Sequence, residues 1–359
     1  MTRRDHDTLT YPLPEPPDFG DAVEIADGAL WLRLPLPMAL DHVNVFIFDE
    51  GDSWTVIDTG FDSRKTREMW QAVLDGPLAG KPVSRVIVTH HHPDHIGLAG
   101  WFQAELGAEL VTTRAAWLFA RMLTLDEHAV PTSETLAYWR AAGMAPQMIA
   151  AREKERPFNF SDIVAPLPLG YRRIKKGDRL ELGGRHWTVR IGNGHAPEHA
   201  TLWADEGDLV IGGDQLLPSI SPNLGVYATE PEADPVAEWL ESCERLAQYA
   251  HSGQLVLPGH KLPFRGLPAR LRQLTGNHHG ALDRLLEHLV TPRVATDCFD
   301  VLFKRKVGPA EYGMALVEAM AHVNHLYQLG EVTRRRDDNG AWLWQKAGSD
   351  GTAQETETT

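Results

Sequence analysis

The sequence has few of the residues that mark secreted or membrane proteins. Only two of its 359 residues are cysteines, Cys243 and Cys298, which is too few for a disulfide framework or a cage of thiolate metal ligands. No uncharged apolar run comes near the length of about 18 residues that spans a membrane. The first twenty residues lack the apolar segment of a secretory signal. We therefore expect a water-soluble, cytoplasmic protein that does not bind membranes.

Positive charge is also scarce. The chain has 35 Lys and Arg against 49 Asp and Glu, a formal net charge of -14. Such a charge repels the phosphates of nucleic acids, so we expect a small-molecule substrate rather than a nucleic-acid partner. Hydrophobic residues at 43% and charged residues at 23% are ordinary for a globular protein, and the length suits about two domains. The sequence leaves open whether the protein forms a homodimer.

Short β-rich runs alternate with helical segments in two blocks of the chain. The first block predicts strands at residues 29–36, 43–48, 54–57, 83–88 and 110–112, and the second at 179–182, 186–191, 201–204, 209–211 and 255–257. Helices are predicted at 62–74, 98–106 and 235–249. This order indicates an α/β fold with two sheets and helices outside them.

Composition divides the chain into four regions. Residues 1–24 are proline-rich and predict an irregular lead-in, and residues 25–265 form the first domain, with a helical insertion at about 115–155. Residues 266–346 contain two amphipathic helices, at 268–290 and 309–329, and a hairpin at 332–344 around an Asp-Asp-Asn-Gly turn. Residues 347–359 are small and polar and are predicted to be disordered.

Histidine, by contrast, is abundant, with 17 residues. Residues 89–97, Thr-His-His-His-Pro-Asp-His-Ile-Gly, directly follow a predicted buried strand. Imidazole suits borderline divalent metals and a carboxylate adds a hard ligand, so one such turn can contribute to two adjacent metal ions. His195, Asp214 and His260 each follow a glycine just past another predicted strand. Each of these alone is an ordinary core or capping residue, but together they indicate a metal site.

These motifs resemble those of the metallo-β-lactamase-fold hydrolase superfamily over about residues 25–265. The resemblance implies a four-layer αββα sandwich with two adjacent divalent metal ions. Zinc is the first candidate for these ions, and iron and manganese are the alternatives. It assigns seven ligands, namely His90, His92 and His195 to one ion, Asp94, His95 and His260 to the other, and Asp214 to both. Because β-lactamases of this fold lack a bridging aspartate, Asp214 favours the branches with glyoxalase II, lactonases, phosphodiesterases and ribonucleases.

Further residues accompany this ligand set. Asp58, which follows the predicted strand 54–57, is expected to accept a hydrogen bond from a metal-binding histidine. Asp94 and His199 are the candidate catalytic residues, with a structural role as the alternative for His199. Glu198 and Leu98 stand where the superfamily pattern has glycines, and the loss of a glycine at Leu98 questions the close packing of the following helix.

The insertion is rich in aromatic and methionine side chains. Trp117, Phe119, Met122 and Trp139 are candidates for a pocket wall over an apolar acyl group, and ordinary helix core is the alternative.

The resemblance predicts a hydrolase that uses a metal-bridging hydroxide to cleave a small ester, thioester or lactone. No Gly-x-Ser-x-Gly, Walker or dinucleotide-binding motif offers a rival chemistry. The second reading is phosphodiester or RNA cleavage at the same centre, since the C-terminal region resembles a winged-helix domain of a ribonuclease-like branch and carries Arg334-Arg335-Arg336. A mononuclear-iron sulfur dioxygenase and a non-enzymatic regulator are weaker alternatives.

Overall fold

The computed structural model describes residues 8–349, so residues 350–359 of the tail and residues 1–7 of the lead-in lie outside the described residues. The chain divides into two compact units. The first contains residues 8–128, 158–222 and 239–274, and the second contains residues 129–157, 223–238 and 275–349. The insertion predicted at about 115–155 is therefore not one body, because its N-terminal part belongs to the first unit and the rest to the second.

Seven strands form the first sheet, in the order in which they occur in the chain. They are β1 (Ala22–Ala26), β2 (Ala29–Pro35), β3 (His42–Asp49), β4 (Trp54–Ile57), β5 (Val83–Ile87), β6 (Glu109–Thr112) and β7 (Arg172–Arg173). β1 to β4 pair antiparallel, and β4 to β7 pair parallel. β1 begins inside the region predicted to be irregular, because pairing with β2 satisfies its backbone.

Side chains alternate between the two faces of this sheet, as the period of two along a strand requires. On β3, Val43, Val45 and Ile47 face one core, whereas Phe46 and Phe48 face a second core. β3 and β4 are thus buried on both faces, which explains why their sequences are nearly continuous apolar runs.

Five strands form the second sheet. They are β8 (Arg179–Leu182), β9 (Arg185–Gly192), β10 (His199–Ala204), β11 (Leu209–Gly213) and β12 (Leu255–Pro258). Their order across the sheet is β12-β11-β10-β9-β8, antiparallel except for the parallel pair β11 and β12. Leu182, Trp187 and Leu257 lie in the same core as Phe46 and Phe48, so the two sheets pack face to face.

Helices of the first unit cover the outer faces of the two sheets, and the other helices lie wholly or mostly in the second unit. The helices are α1 (Arg64–Asp75), α2 (Pro93–Ile96), α3 (Ala99–Leu106), α4 (Arg114–Leu125), α5 (Ser133–Ala141), α6 (Pro146–Arg152), α7 (Pro235–Ala247), α8 (Leu267–His288), α9 (Phe299–Phe303) and α10 (Tyr312–Gln328). Trp70 of α1 and Phe102 of α3 meet edge to face in the core outside the first sheet. Arg245 of α7 donates to the Ile191 carbonyl of β9 at 3.0 Å. The predicted αββα sandwich is confirmed.

The second unit is mainly helical, and α10 is buried over much of its length. Asn324 donates to the carbonyls of Pro231 and Ala233, and His325 Nδ1 donates to the Asp234 carboxylate at 3.0 Å. The hairpin consists of β13 (Val332–Arg336) and β14 (Trp342–Lys346), close to its predicted place. Across residues 8–349, no helix combines the length and apolarity needed to cross a membrane.

Candidate metal centre

The site begins at the turn after β5, which Asp58 orders from the end of β4. Asp58 has a left-handed backbone, with φ of 61°. Its carboxylate accepts hydrogen bonds from the backbone N–H and the hydroxyl of Thr89, both at 2.8 Å. Because the Thr89 hydroxyl donates to Asp58, its oxygen accepts from Nδ1 of His90 at 3.0 Å. The lone pair of His90 is therefore on Nε2, where a metal ion can bind.

Three imidazole nitrogens converge beside this turn. Nε2 of His90 lies 3.1 Å from Nδ1 of His92, which lies 3.0 Å from Nε2 of His195. His90 and His92 come from the turn after β5, and His195 follows β9, so two different sheets contribute. Nitrogen lone pairs gain nothing from facing one another, whereas ligands of one cation come this close. The group has the donor set of a three-histidine metal site.

A second group adjoins the first and is richer in carboxylates. Nε2 of His260 lies 3.3 Å from Asp94 Oδ2 and 3.2 Å from Asp214 Oδ2. Nε2 of His95 lies 3.6 Å from Asp94 Oδ2 and 3.3 Å from Asp214 Oδ1. Asp214 Oδ2 is also 3.5 Å from His195 Nε2, so this carboxylate lies within reach of both groups. The structure thus brings together all seven residues that the family resemblance assigned as ligands.

Burial and charge shape the pKa values here. Burial lowers the pKa of His260, but Asp214 and Asp94 outweigh burial and raise it to about 10. Burial also lowers the pKa of His95, and Asp214, Asp94 and Asp58 reverse that effect and raise it well above its ordinary value. The pKa of His90 is held well below its ordinary value by burial and by His95. The carboxylates therefore create a field that attracts positive charge.

Two buried atoms test whether a metal ion fits. His95 Nε2 and Asp214 Oδ1 lie 3.3 Å apart, but neither atom makes a hydrogen bond of good geometry with any described residue. Leaving buried polar atoms unpaired is costly, and a cation bound between an imidazole and a carboxylate satisfies both. Nitrogen and carboxylate ligands in this number suit zinc and similar divalent ions. The residues present therefore fit divalent metal ions.

The turn after β12 places His260, and β3 holds that turn. Nδ1 of His260 donates to the His42 carbonyl at 2.7 Å, which leaves its Nε2 facing the carboxylates. The buried Asn44 side chain donates to the carbonyls of Pro258 and Lys261 at 2.9 and 2.8 Å and accepts from Trp31 Nε1 at 2.9 Å. The sequence-based prediction missed Asn44, although one polar residue inside the apolar run of β3 was a usable signal.

Glycine is required next to the shared carboxylate. A Cβ atom on Gly259 would lie 2.2 Å from Asp214 Oδ1 and 2.7 Å from His95 Cε1. Any larger residue would therefore displace the carboxylate that both groups share. At the superfamily's second glycine position, Leu98 is fully buried in the core, and its N–H donates to the Thr59 hydroxyl at 3.0 Å. Close packing at this point depends on Gly97, where a Cβ would lie 2.4 Å from the Gly60 carbonyl.

His199 lies behind the ligands. Its Nε2 accepts the backbone N–H of Asp214 at 3.1 Å, and its ring stacks on His90 with centroids 4.5 Å apart. Burial lowers its pKa to about 3. The side chain is fully buried and contacts the backbone of one ligand and the ring of another, so it supports them in this structure.

The four pocket candidates occupy different surroundings. Phe119 lies beside the metal turn, its ring centroid 5.2 Å from that of His91. Trp117 stacks on Tyr171 at 4.8 Å and packs against the core outside the first sheet. Met122 is 44% exposed on α4. Trp139 belongs to the second unit, where Arg152 lies over its ring. The structure places only Phe119 in contact with the metal turn.

Residues 38–260 match the profile of the Metallo-beta-lactamase superfamily, and residues 282–347 match that of the Metallo-beta-lactamase-like, C-terminal domain. The chain belongs to the metallo-β-lactamase superfamily and is a metal-dependent hydrolase.

Individual relatives agree with this assignment. The chain is 24% identical over 260 residues to the probable metallo-hydrolase YqjP of Bacillus subtilis, covering 69% of this chain and 76% of that protein. The crystal structure of a beta-lactamase domain protein from Burkholderia ambifaria is 34% identical with a TM-score of 0.87, covering 94% of this chain and 98% of that one. A metallo-beta-lactamase family protein from Thermus thermophilus is 26% identical with a TM-score of 0.74, covering 90% of this chain and 100% of that one.

Proposed function

We propose that this chain is a dinuclear metal-dependent hydrolase of a small ester, thioester or lactone. The observation that carries the proposal is the position of Asp214, whose carboxylate lies 3.5 Å from His195 in one group of ligands and 3.2 Å from His260 in the other. A carboxylate between two sets of nitrogen ligands suits a pair of divalent ions, with zinc as the first candidate and iron or manganese as alternatives.

The bound ions would supply Lewis acidity, lowering the pKa of a water molecule and polarising the scissile carbonyl. The protein's own side chains would orient the ligands and accept a proton. His95 and His260 each donate through Nδ1, to Asp58 and to the His42 carbonyl, so Nε2 of each ring is the nitrogen that would bind an ion. Asp94 is the more exposed carboxylate, at 16% against 8% for Asp214, and is our candidate to accept a proton from the attacking water. Of the two roles considered for His199 we favour the structural one, in which its Nε2 accepts the Asp214 backbone N–H.

The substrate class rests on α4. Phe119 packs beside His91 of the metal turn, and the same helix exposes Leu118, Met122 and Leu125. An apolar acyl group gains free energy against such side chains, whereas a phosphodiester gains little.

Phosphodiester cleavage remains the second candidate, but Arg334 of the hairpin gives it little support. The Arg334 guanidinium donates to Glu232 at 2.9 Å and lies 4.4 Å from the ring centroids of Tyr327 and Trp342. A guanidinium held in this way is poorly placed to meet a phosphate.

Metal analysis followed by a substrate panel tests the proposal. The purified protein is expected to bind about two divalent ions per chain and to cleave acyl thioesters or lactones faster than bis-p-nitrophenyl phosphate. Asp214→Ala should abolish turnover and lose the second ion, while Asp208→Ala, an exposed acid beside His251, serves as the matched control. Full activity with a single ion would exclude the dinuclear arrangement, and turnover of phosphodiesters alone would exclude the acyl substrate class.

A further inference from the structure

Glu198 lies between His195 and His199 and has an unusual backbone. Its φ of 50° is left-handed, a conformation that the Cβ of an ordinary residue disfavours and that glycine adopts freely. The superfamily pattern has a glycine at this place. A glutamate that keeps the strained conformation needs a compensating interaction of its own side chain.

The compensating interaction is at the start of α4. Oε2 of Glu198 accepts the backbone N–H of Ala115 at 2.8 Å. Ala115 is in the first turn of the helix, where backbone N–H groups have no partner within the helix and negative charge is favourable. The Thr113 hydroxyl accepts the next N–H, from Ala116, at 3.3 Å. Glu198 and Thr113 therefore satisfy successive donors of one helix end.

Glu198 is also tied to its own turn. Its backbone N–H donates to Asn193 Oδ1 at 2.8 Å, and the N–H of Asn193 donates to the Ser242 hydroxyl at 2.9 Å. Arg173 lies 3.8 Å from the other carboxylate oxygen, in a solvent-exposed pair that contributes little. One residue thus joins the turn that carries His195 to the helix that carries Phe119.

We propose that Glu198 is a positioning residue that fixes the N-terminus of α4 against the His195 turn, and so sets the distance between the apolar wall at Phe119 and the metal ligands. The link to catalysis rests on the proposed function, but the hydrogen bond between helix and turn does not. A glycine here would relieve the backbone and release the helix. Glu198 is thereby a specificity determinant that distinguishes this chain from the glycine pattern.

Three full-length variants separate this role from a neutral surface position. Glu198→Gly removes the carboxylate and relieves the left-handed strain, so the fold is retained. Glu198→Gln keeps an oxygen acceptor for the Ala115 N–H. Arg173→Ala removes the exposed ion-pair partner and is the matched control.

Hydrogen exchange followed by mass spectrometry is measured on each protein, with and without added Zn²⁺. Glu198→Gly should speed exchange of the amides at 114–117 by about fivefold, which is the loss of a typical helix cap, while the other two variants stay within about twofold of wild type. Equal exchange in Glu198→Gly and wild type, with or without Zn²⁺, would overturn the proposal.

A kinetic measurement adds the functional half. With a series of p-nitrophenyl acyl esters as probes, Glu198→Gly should raise KM for the longest ester that wild type accepts by about fivefold, while KM for the acetyl ester changes little. A loss of kcat of the same size for every ester would mean that Glu198 acts through the metal ligands instead. That result would overturn its role in specificity. If no ester is turned over by any variant while the exchange difference persists, the substrate class fails and the contact between helix and turn stands.

Discussion

Nδ1 of His95 donates a hydrogen bond to Asp58 Oδ2 at 2.7 Å, and this contact leaves Nε2 as the nitrogen that a metal ion would bind. Both side chains are buried, and the same carboxylate also binds Thr89 through two hydrogen bonds. Asp58 therefore orients His95 directly and His90 through Thr89. Asp58 is not itself one of the seven ligands. It nevertheless orients one histidine in each group of ligands.

Replacing Asp58 should weaken metal binding more than it weakens the fold. Asp58→Ala is expected to lower Zn²⁺ affinity by about 10- to 100-fold, because His95 loses its hydrogen-bond acceptor and Thr89, which accepts from His90, loses the carboxylate that orients its hydroxyl. Competition with a chromophoric chelator measures the affinity. Asp62→Ala is the control, since Asp62 binds Arg67 on the surface of α1. Unchanged affinity in Asp58→Ala would contradict the role assigned to this carboxylate.

Asn44 should be important for stability as well as for the position of His260. Asn44→Leu leaves the Trp31 N–H and the carbonyls of Pro258 and Lys261 without a buried partner. We expect a loss of about 2–4 kcal/mol in the free energy of unfolding, measured by urea denaturation without metal. Gln71→Ala, which removes an exposed amide bonded to Asp75, should change stability by less than about 0.5 kcal/mol. A loss no larger than in this control would show that the turn after β12 is held by other contacts.

Trp117 and Met122 lie on one helix but should behave differently. Trp117 stacks on Tyr171 and donates through Nε1 to the Pro168 carbonyl at 3.2 Å, so Trp117→Ala is expected to destabilise the protein by about 3 kcal/mol. Met122 is half-exposed, and Met122→Ala should leave the melting temperature almost unchanged. Differential scanning calorimetry distinguishes the two. A stable Trp117→Ala protein would support a pocket-wall role for this tryptophan over a core role.

The series of p-nitrophenyl acyl esters of increasing chain length tests the role of Met122. If α4 contacts the acyl chain, each buried methylene contributes up to about 0.8 kcal/mol, so kcat/KM should rise with chain length in wild type. Met122→Ala should flatten that rise, with Tyr249→Ala, an exposed aromatic in the same unit, as the control. If kcat/KM in wild type does not rise with chain length, the apolar side chains of α4 do not contact the acyl chain.

Glu318 should make stability depend on pH. Burial raises the pKa of this carboxyl to about 7 from its ordinary value near 4.5, while a hydrogen bond from Asn223 at 2.7 Å opposes the shift. The folded state then holds a proton that the unfolded state loses, so stability falls as the pH rises from about 4.5 to about 7. Glu318→Gln keeps an acceptor for Asn223 and removes the ionisation.

The expected result is a variant that is more stable than wild type by about 1–3 kcal/mol at pH 8 and by little at pH 4.5. Urea denaturation at the two pH values measures it. Glu311→Gln changes an exposed carboxylate that is bonded to Arg305 instead, and controls for the charge change. An equal difference between Glu318→Gln and wild type at both pH values would contradict the raised pKa.

The amino-acid sequence determined the parts of this protein that depend on neighbouring residues. The β-branched and aromatic run of β3 predicts a strand, and each residue's face follows from its position along that strand. The Asp-Asp-Asn-Gly turn specifies the hairpin in the same local way. The clustered histidines of residues 89–97 indicate metal chemistry for the same reason, since one short turn holds them together whatever the rest of the chain does.

Tertiary structure decided which distant groups meet. His42 and His260 are 218 residues apart, and Asn44 and Lys261 are 217 residues apart, yet these pairs hold one ligand in place. Helix periodicity shows that Trp117 has a buried face without showing that Tyr171 covers it. Likewise, the sequence does not explain why Glu198 occupies a glycine position. The structure does, because the N-terminus of α4 donates a hydrogen bond to its carboxylate. Contacts of this kind depend on how sheets and helices pack, and no local pattern of residues encodes them.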